Sequence, residues 1–156
     1  MNHTVDADGN GTAGVRWYEL RNHKDRGWEL KKENTFAPDG DYRWMGSIAM
    51  NAAGETCLGY SISSQDTYPS IGVTGRKGTA NNMNVKEAVV FDGNVAGNVM
   101  RQFARWGDYS AMSIDPVDDS CWYTTEYNKP NTRLGERLGW ATKIIQFQLP
   151  GNNKGK

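Results

Sequence analysis

The chain has 156 residues, with 18 Lys or Arg and 18 Asp or Glu, so its formal charge is zero. This balance excludes a protein that binds nucleic acid through an excess of basic side chains, and no apolar run is long enough to span a membrane. Residues 1–6 contain neither a basic n-region nor an apolar h-region, so we expect no signal peptide in this chain.

Alternating apolar and polar side chains predict an all-β fold of short strands. In chain order, the predicted strands are 14–20, 28–32, 47–51, 56–63, 70–74, 85–91, 110–115, 121–127 and 140–149. Polar turns rich in Pro, Asp, Asn and Gly separate them. Residues 95–104 form the only candidate helix, which its glycine and asparagine residues weaken. Near residues 140–144 the apolar phase shifts by one residue, which predicts a β-bulge.

Two cysteine-containing segments resemble each other. Residues 48–58 align with residues 112–122, and both are predicted to form a strand, an Asn or Asp turn and a second strand. A weaker third copy starts at Val5. This repetition indicates repeated supersecondary units, which we place at about 1–40, 41–104 and 105–150 of a single domain. Residues 151–156 are predicted to be a flexible tail.

Each unit is predicted to be a blade of antiparallel strands in a propeller-like array. Radial arrays contain about four to eight such sheets, whereas this chain supplies two and a half to three. Each unit has a face that needs a neighbour. We therefore predict an incomplete propeller that is completed by a homo-oligomer or by a companion chain.

The two cysteines, Cys57 and Cys121, have no metal-binding spacing. They could form one disulfide or be two buried thiols. Equivalent positions in stacked sheets lie about 10 Å apart, which exceeds the Cα separation of about 7 Å that a disulfide bridges. This comparison favours two buried thiols.

Several strings of residues together resemble one family. They are GVRWYELR (14–21), DYRWMGSIAM (41–50), LGYSISS (58–64), YPSI (68–71), RWGDYS (105–110), SIDPVDD (113–119) and WYTTEY (122–127). The chain resembles the C-terminal part of a propeller-like region in large secreted bacterial exoproteins of uncharacterised function. That region is loosely similar to sialidase and BNR-repeat propellers. The resemblance implies a propeller-like fold and an extracellular location, and it implies no catalytic residue.

A calcium loop is one interpretation of residues 6–11. Asp6, Asp8 and Asn10 match the alternating oxygen ligands of the motif D-x-D-x-[DN]-G. The twelfth position, where an EF-hand has Glu, is Trp17. The alternative is a polar hairpin turn.

Two Arg-Trp pairs are the candidate ligand-binding residues. An arginine can bind a carboxylate with two hydrogen bonds, while an indole stacks on a sugar or a cation. A glycan or a peptide is the expected ligand. The alternative is a scaffold role, in which the tryptophan packs between blades and the arginine forms an ion pair. The candidate residues are Arg43, Trp44, Arg105, Trp106, Asp108 and Tyr109.

A sialidase-like glycoside hydrolase is the alternative function. It would use several arginines on a substrate carboxylate together with a Tyr–Glu pair, for which Arg43, Arg76, Arg105, Glu126 and Tyr127 are the candidates. Adjacent residues of a strand point to opposite faces, however, which separates Glu126 from Tyr127. We therefore favour a non-catalytic binding module.

Overall fold

The fold is all-β, as the sequence predicts. A computed structural model describes residues 1–93, 107–130 and 138–151. These residues form ten strands and no helix; the helix expected at 95–104 lies outside the described residues. The strands are β1 (Asn2–Asp6), β2 (Ala13–His23), β3 (Gly27–Phe36), β4 (Tyr42–Met50), β5 (Thr56–Ser63), β6 (Ser70–Arg76), β7 (Val85–Phe91), β8 (Ala111–Ile114), β9 (Cys121–Pro130) and β10 (Leu138–Phe147).

The strands form three antiparallel sheets. The first sheet has the order β1-β2-β3, the second β4-β5-β6-β7 and the third β10-β9-β8. Neighbours in each sheet are consecutive in sequence, since polar turns allow each strand to fold back on the one before it. The strands of each predicted unit therefore lie in one sheet.

The second sheet is the centre of the molecule because it is covered on both faces. Leu58, Tyr60 and Ile62 of β5 pack with Val15 and Trp17 of the first sheet. Cys57, which precedes Leu58 in β5, faces the third sheet, where it packs with Cys121 and Leu149. This covering explains why every residue of β6 is buried.

Cys57 and Cys121 form a disulfide between the second and third sheets, with Cα atoms 6.4 Å apart. The expectation of two buried thiols was therefore wrong. It assumed that the cysteines occupy equivalent positions. In the second sheet the turn closed by Asn51 N–H and the Glu55 carbonyl has five residues, 51–55, whereas the corresponding turn in the third sheet has six, 115–120. One extra residue exchanges the two faces of the following strand, so the cysteines face each other.

A glycine allows the second and third sheets to approach closely beside this disulfide. A Cβ atom at Gly59 would lie 2.6–2.7 Å from ring atoms of Tyr123. The Tyr123 ring therefore lies directly on the backbone of β5, in space that any side chain would occupy. This close approach helps to bring the two cysteines within bridging distance.

Strand β4 has different orientations relative to its two neighbouring sheets. Ser110 Oγ donates to the Met45 carbonyl, and the Met112 N–H donates to Ser47 Oγ, each at 2.9 Å. Residue numbers rise together in these contacts, so β4 and β8 run in the same direction.

Strand β1 runs in the opposite direction to β4. Asn2 Nδ2 donates to the Gly46 carbonyl at 2.7 Å, whereas Thr4 Oγ1 accepts from the Met45 N–H at 3.4 Å. The numbers rise in one strand and fall in the other. The first sheet therefore packs on the second as an opposed layer, while the third sheet follows the second in the same orientation.

The main irregularity of β4 lies where all three sheets meet. The register with β5 shifts between Trp44 and Ser47, and Met45 has a positive φ of 52°. The bulge expected near residues 140–144 was wrong, because β10 pairs with β9 without a register shift. The phase shift there arises because Ile144, which is 65% exposed, points to solvent.

Candidate functional site

Arg43 and Trp44 lie within strand β4, which begins before the predicted strand at 47–51. Strand β4 begins at Tyr42, so Arg43 pairs with Ile62 and Trp44 pairs with Ser61. Paired residues share a face of the sheet, which places Arg43 toward the first sheet and Trp44 toward the third. The two candidate side chains therefore do not contribute to one site.

The Arg43 guanidinium is fully buried and serves the scaffold. It donates two hydrogen bonds to Glu87, two to Asp39 and one to the Asp41 carbonyl, at 2.8–3.1 Å. These five bonds use all five of its N–H groups. The arrangement is the ion-pair alternative that the sequence left open.

The same network includes Tyr60, whose hydroxyl donates to Glu87. Burial raises the pKa of the Tyr60 hydroxyl, and the nearby Glu87 carboxylate raises it further. Burial acts to lower the pKa of Arg43, but the hydrogen bonds to Glu87 and Asp39 outweigh it and raise the pKa. The arginine therefore remains charged, and the cluster joins β4, β5 and β7 at one end of the second sheet.

Trp44, Asp108 and Tyr109 lie at the same end of the molecule. A Cβ atom at Gly107 would be 3.8 Å from both Met45 Cγ and Ser61 Oγ, beside Trp44. Asp108 is exposed, and Tyr109 is 78% exposed. Arg105 and Trp106, the remaining candidates, lie outside the described residues.

Two further tyrosines lie at this end, and sequence reasoning missed Tyr68 as a candidate for the site. Tyr42 at the start of β4 is 44% exposed, and Tyr68 in the turn before β6 is 53% exposed. Antiparallel pairing places the start of β4, the end of β5 and the start of β6 together. The signal that could have identified Tyr68 is an aromatic residue in the turn that precedes a strand. We call Tyr42, Trp44, Tyr68 and Tyr109 the aromatic end.

The proposed calcium loop forms a compact turn between β1 and β2. Asp6 Oδ1 accepts from the N–H groups of Gly9 and Gly11 at 2.9 and 3.1 Å. Asp8 accepts from the N–H of Asn10 and the hydroxyl of Thr12, both at 2.8 Å. The Asn10 N–H, followed by the Thr12 hydroxyl, lowers the pKa of the Asp8 carboxyl to about 2.

These contacts are those of the polar hairpin turn, in which the Asp side chains satisfy backbone N–H groups. Within the described ranges, no three His, Cys, Asp or Glu residues are grouped so that they could hold a metal ion. Calcium binding by Asp6, Asp8 and Asn10 stays a prediction.

The residues of the glycosidase alternative are dispersed. The Glu126 carboxylate accepts from the Gly107 N–H at 2.9 Å, whereas the Tyr127 ring lies 4.4 Å from the Phe91 ring on the face toward the second sheet. Arg76 is held between the first and second sheets, where it donates to Glu19 at 2.7 Å. No observation in the described part of the chain brings these groups into one pocket.

Comparisons of the chain with protein-family models, with curated proteins and with solved structures found no match. No helix in the described segments is long and apolar enough to cross a membrane.

Proposed function

We propose that the chain is a non-catalytic binding and structural module built from propeller-like blades, with a glycan site at the aromatic end. The observation that carries the proposal is that three exposed tyrosines, the half-buried Trp44 and the exposed Asp108 lie beside the junction of the second and third sheets. Aromatic rings stack on the apolar faces of sugars, and a carboxylate accepts hydrogen bonds from their hydroxyl groups.

The arrangement of two sheets supports the propeller-like interpretation. Strands β4 and β8 are the first strands of their sheets, they contact each other, and they run in the same direction. Successive blades around a common axis have this relation. The opposed first sheet departs from it, so we assign blade character to the second and third sheets alone.

Apolar side chains on the outer face of the third sheet support assembly with a further β-sheet. Trp122 and Thr124 on that face are half-buried, and Ile144 is 65% exposed. The corresponding face of the second sheet is covered by the third. We propose that self-association or a companion chain covers the face of the third sheet in the same way.

The disulfide supports the proposed extracellular location. Such cross-links persist in oxidising compartments and are rare in the cytosol. The resemblance to secreted exoproteins implies the same location.

A glycan array tests the binding site with the wild type and two variants. Tyr109→Ala is the informative change because its side chain is 78% exposed and can be removed without opening the core. We expect this variant to lose at least about tenfold in affinity for any glycan that binds. The matched control is Trp28→Ala, which removes a 70% exposed ring from the first sheet and should leave binding unchanged.

The glycan proposal fails if the wild type binds no glycan, or if Trp28→Ala weakens binding as much as Tyr109→Ala. Hydrolysis of sialosides or other glycosides by the purified protein would instead favour the enzyme alternative. Light scattering after size exclusion tests self-association separately. A well-folded monomer at 17.4 kDa contradicts self-association.

Calcium binding has its own test. If Asp6, Asp8 and Asn10 hold the ion, millimolar calcium should raise the melting temperature relative to EDTA, and Asp8→Asn should abolish that increase. An unchanged melting temperature rejects the calcium site and leaves the hairpin turn.

A further inference from the structure

A cavity of about 210 Å³ lies between the first and second sheets, away from the aromatic end. Its lining combines apolar and ionic side chains that include Trp17, Glu19, Ile48, Met50, Thr56 and Arg76. The cavity is smaller than the sites of about 300–1,000 Å³ that hold drug-sized ligands. Its size suits a small molecule.

The polar part of the cavity is built around a buried arginine. Arg76 is 2% exposed and Glu19 is 8% exposed. The Arg76 Nη2 group donates to Glu19 Oε2 at 2.7 Å and to Thr56 Oγ1 at 3.1 Å. The Arg76 guanidinium also lies 5.5 Å from the centre of the Trp17 ring. Packing and hydrogen bonds therefore hold this group in place.

One donor of this arginine has no partner among the residues that the structure describes. It is the Nε atom of Arg76, which is buried. A buried donor without an acceptor destabilises the folded protein, so such a group calls for an explanation. An acceptor supplied by a molecule in the cavity would remove that destabilisation.

The charge around the cavity favours an anion. The second oxygen of Glu19, Oε1, accepts from Arg21 at 3.3 Å. Two arginines thus share one carboxylate, which leaves one positive charge uncompensated within this cluster. The apolar part of the lining, Ile48 and the 49% exposed Met50, would contact an aliphatic chain.

We propose that this cavity binds a small aliphatic carboxylate, with the carboxylate at Arg76 and the chain against Ile48 and Met50. Hexanoate is the probe, and the indole N–H resonance of Trp17 reports occupancy because its ring lines the cavity. We expect a saturable shift with a dissociation constant in the millimolar range. The indole resonance of Trp28, exposed on the first sheet, should not move.

Two comparisons separate a site from general hydrophobic adsorption. Hexanol carries the same chain without the charge and should bind at least about tenfold more weakly than hexanoate. Met50→Trp places a larger side chain at the cavity and should weaken hexanoate binding at least about tenfold. Val117→Trp is the control: it adds the same ring in a turn, at a position that is 88% exposed, and should leave hexanoate binding unchanged.

The absence of a saturable shift at about 50 mM hexanoate would overturn the proposal. Equal binding of hexanol and hexanoate would overturn the carboxylate assignment, and equal weakening by the two tryptophan variants would overturn the location. Tyr109→Ala should leave the hexanoate shift unchanged, so the result does not depend on the glycan proposal.

Discussion

Reducing the Cys57–Cys121 disulfide is expected to destabilise the protein strongly. The two residues are separated by 64 positions. In the chain-entropy model, a cross-link that closes a loop of that length in the unfolded chain raises the free energy of unfolding by about 4 kcal/mol. For a domain of this size, such a change lowers the melting temperature by about 10–15 °C. Urea denaturation of the oxidised and reduced wild type, with the redox state verified by thiol labelling after unfolding, measures the difference.

The double variant Cys57→Ala/Cys121→Ala is the control. It removes the cross-link and two buried sulfur atoms, so it should be at least as unstable as the reduced wild type, and a reductant should not affect it. If the oxidised and reduced wild type differ by less than about 1 kcal/mol, the attribution of stability to this loop closure is wrong.

Three further predictions concern packing, buried charge and pH. Gly59→Ala should lower the free energy of unfolding by about 1–3 kcal/mol in urea denaturation, because its Cβ would lie within 2.7 Å of the Tyr123 ring. Gly40→Ala is the control: no atom lies within 4 Å of its Cβ, so the free energy of unfolding should barely change. Arg43→Met should cost about 3–5 kcal/mol by the same measurement, because it leaves the carboxylates around this fully buried site without their cation; a loss below about 1 kcal/mol would contradict the scaffold role. The pKa of Asp8 is lower in the folded protein, about 2, than its ordinary value of 3.8, so its stabilising contribution is present above pH 4 and is lost as the pH falls toward 2. The stability of Asp8→Asn should therefore fall less than that of the wild type over this range in acid titrations followed by circular dichroism, and parallel curves would refute the assignment.

The strands were predictable from the sequence because their signals are local. Alternation placed the strand at 56–63 with the bounds that β5 has, and the strand at 85–91 matches β7. Strand β4 begins five residues earlier than the predicted strand at 47–51, because a bulge at Met45 interrupts the alternation without ending the strand. The sequence near Arg43 therefore resembled a loop followed by a strand.

Which face each side chain occupies was less predictable. The alignment that made Cys57 and Cys121 equivalent positions of the repeat contains no gap. The two turns nevertheless differ in length by one residue, and one extra residue moves each following side chain to the other face of its strand. The contacts of Arg43 were also hidden, because Glu87 lies 44 residues away and reaches it only through the pairing of four strands. The positions of the candidate site residues depend on such long-range pairings, whereas the bounds of the strands depend mainly on local sequence.

The disulfide between the second and third sheets determines which sheet separates first when the protein partly unfolds. The third sheet stays tethered to the second when noncovalent contacts break, because Cys57 and Cys121 remain joined. The first sheet is connected to the second covalently through the chain at residues 37–41, and otherwise by noncovalent contacts such as the packing of Val15 and the ion pair between Arg76 and Glu19. When the native protein fluctuates, amide protons of β1 to β3 should therefore exchange with solvent before those of β5 and β6, whose residues lie in the doubly covered layer.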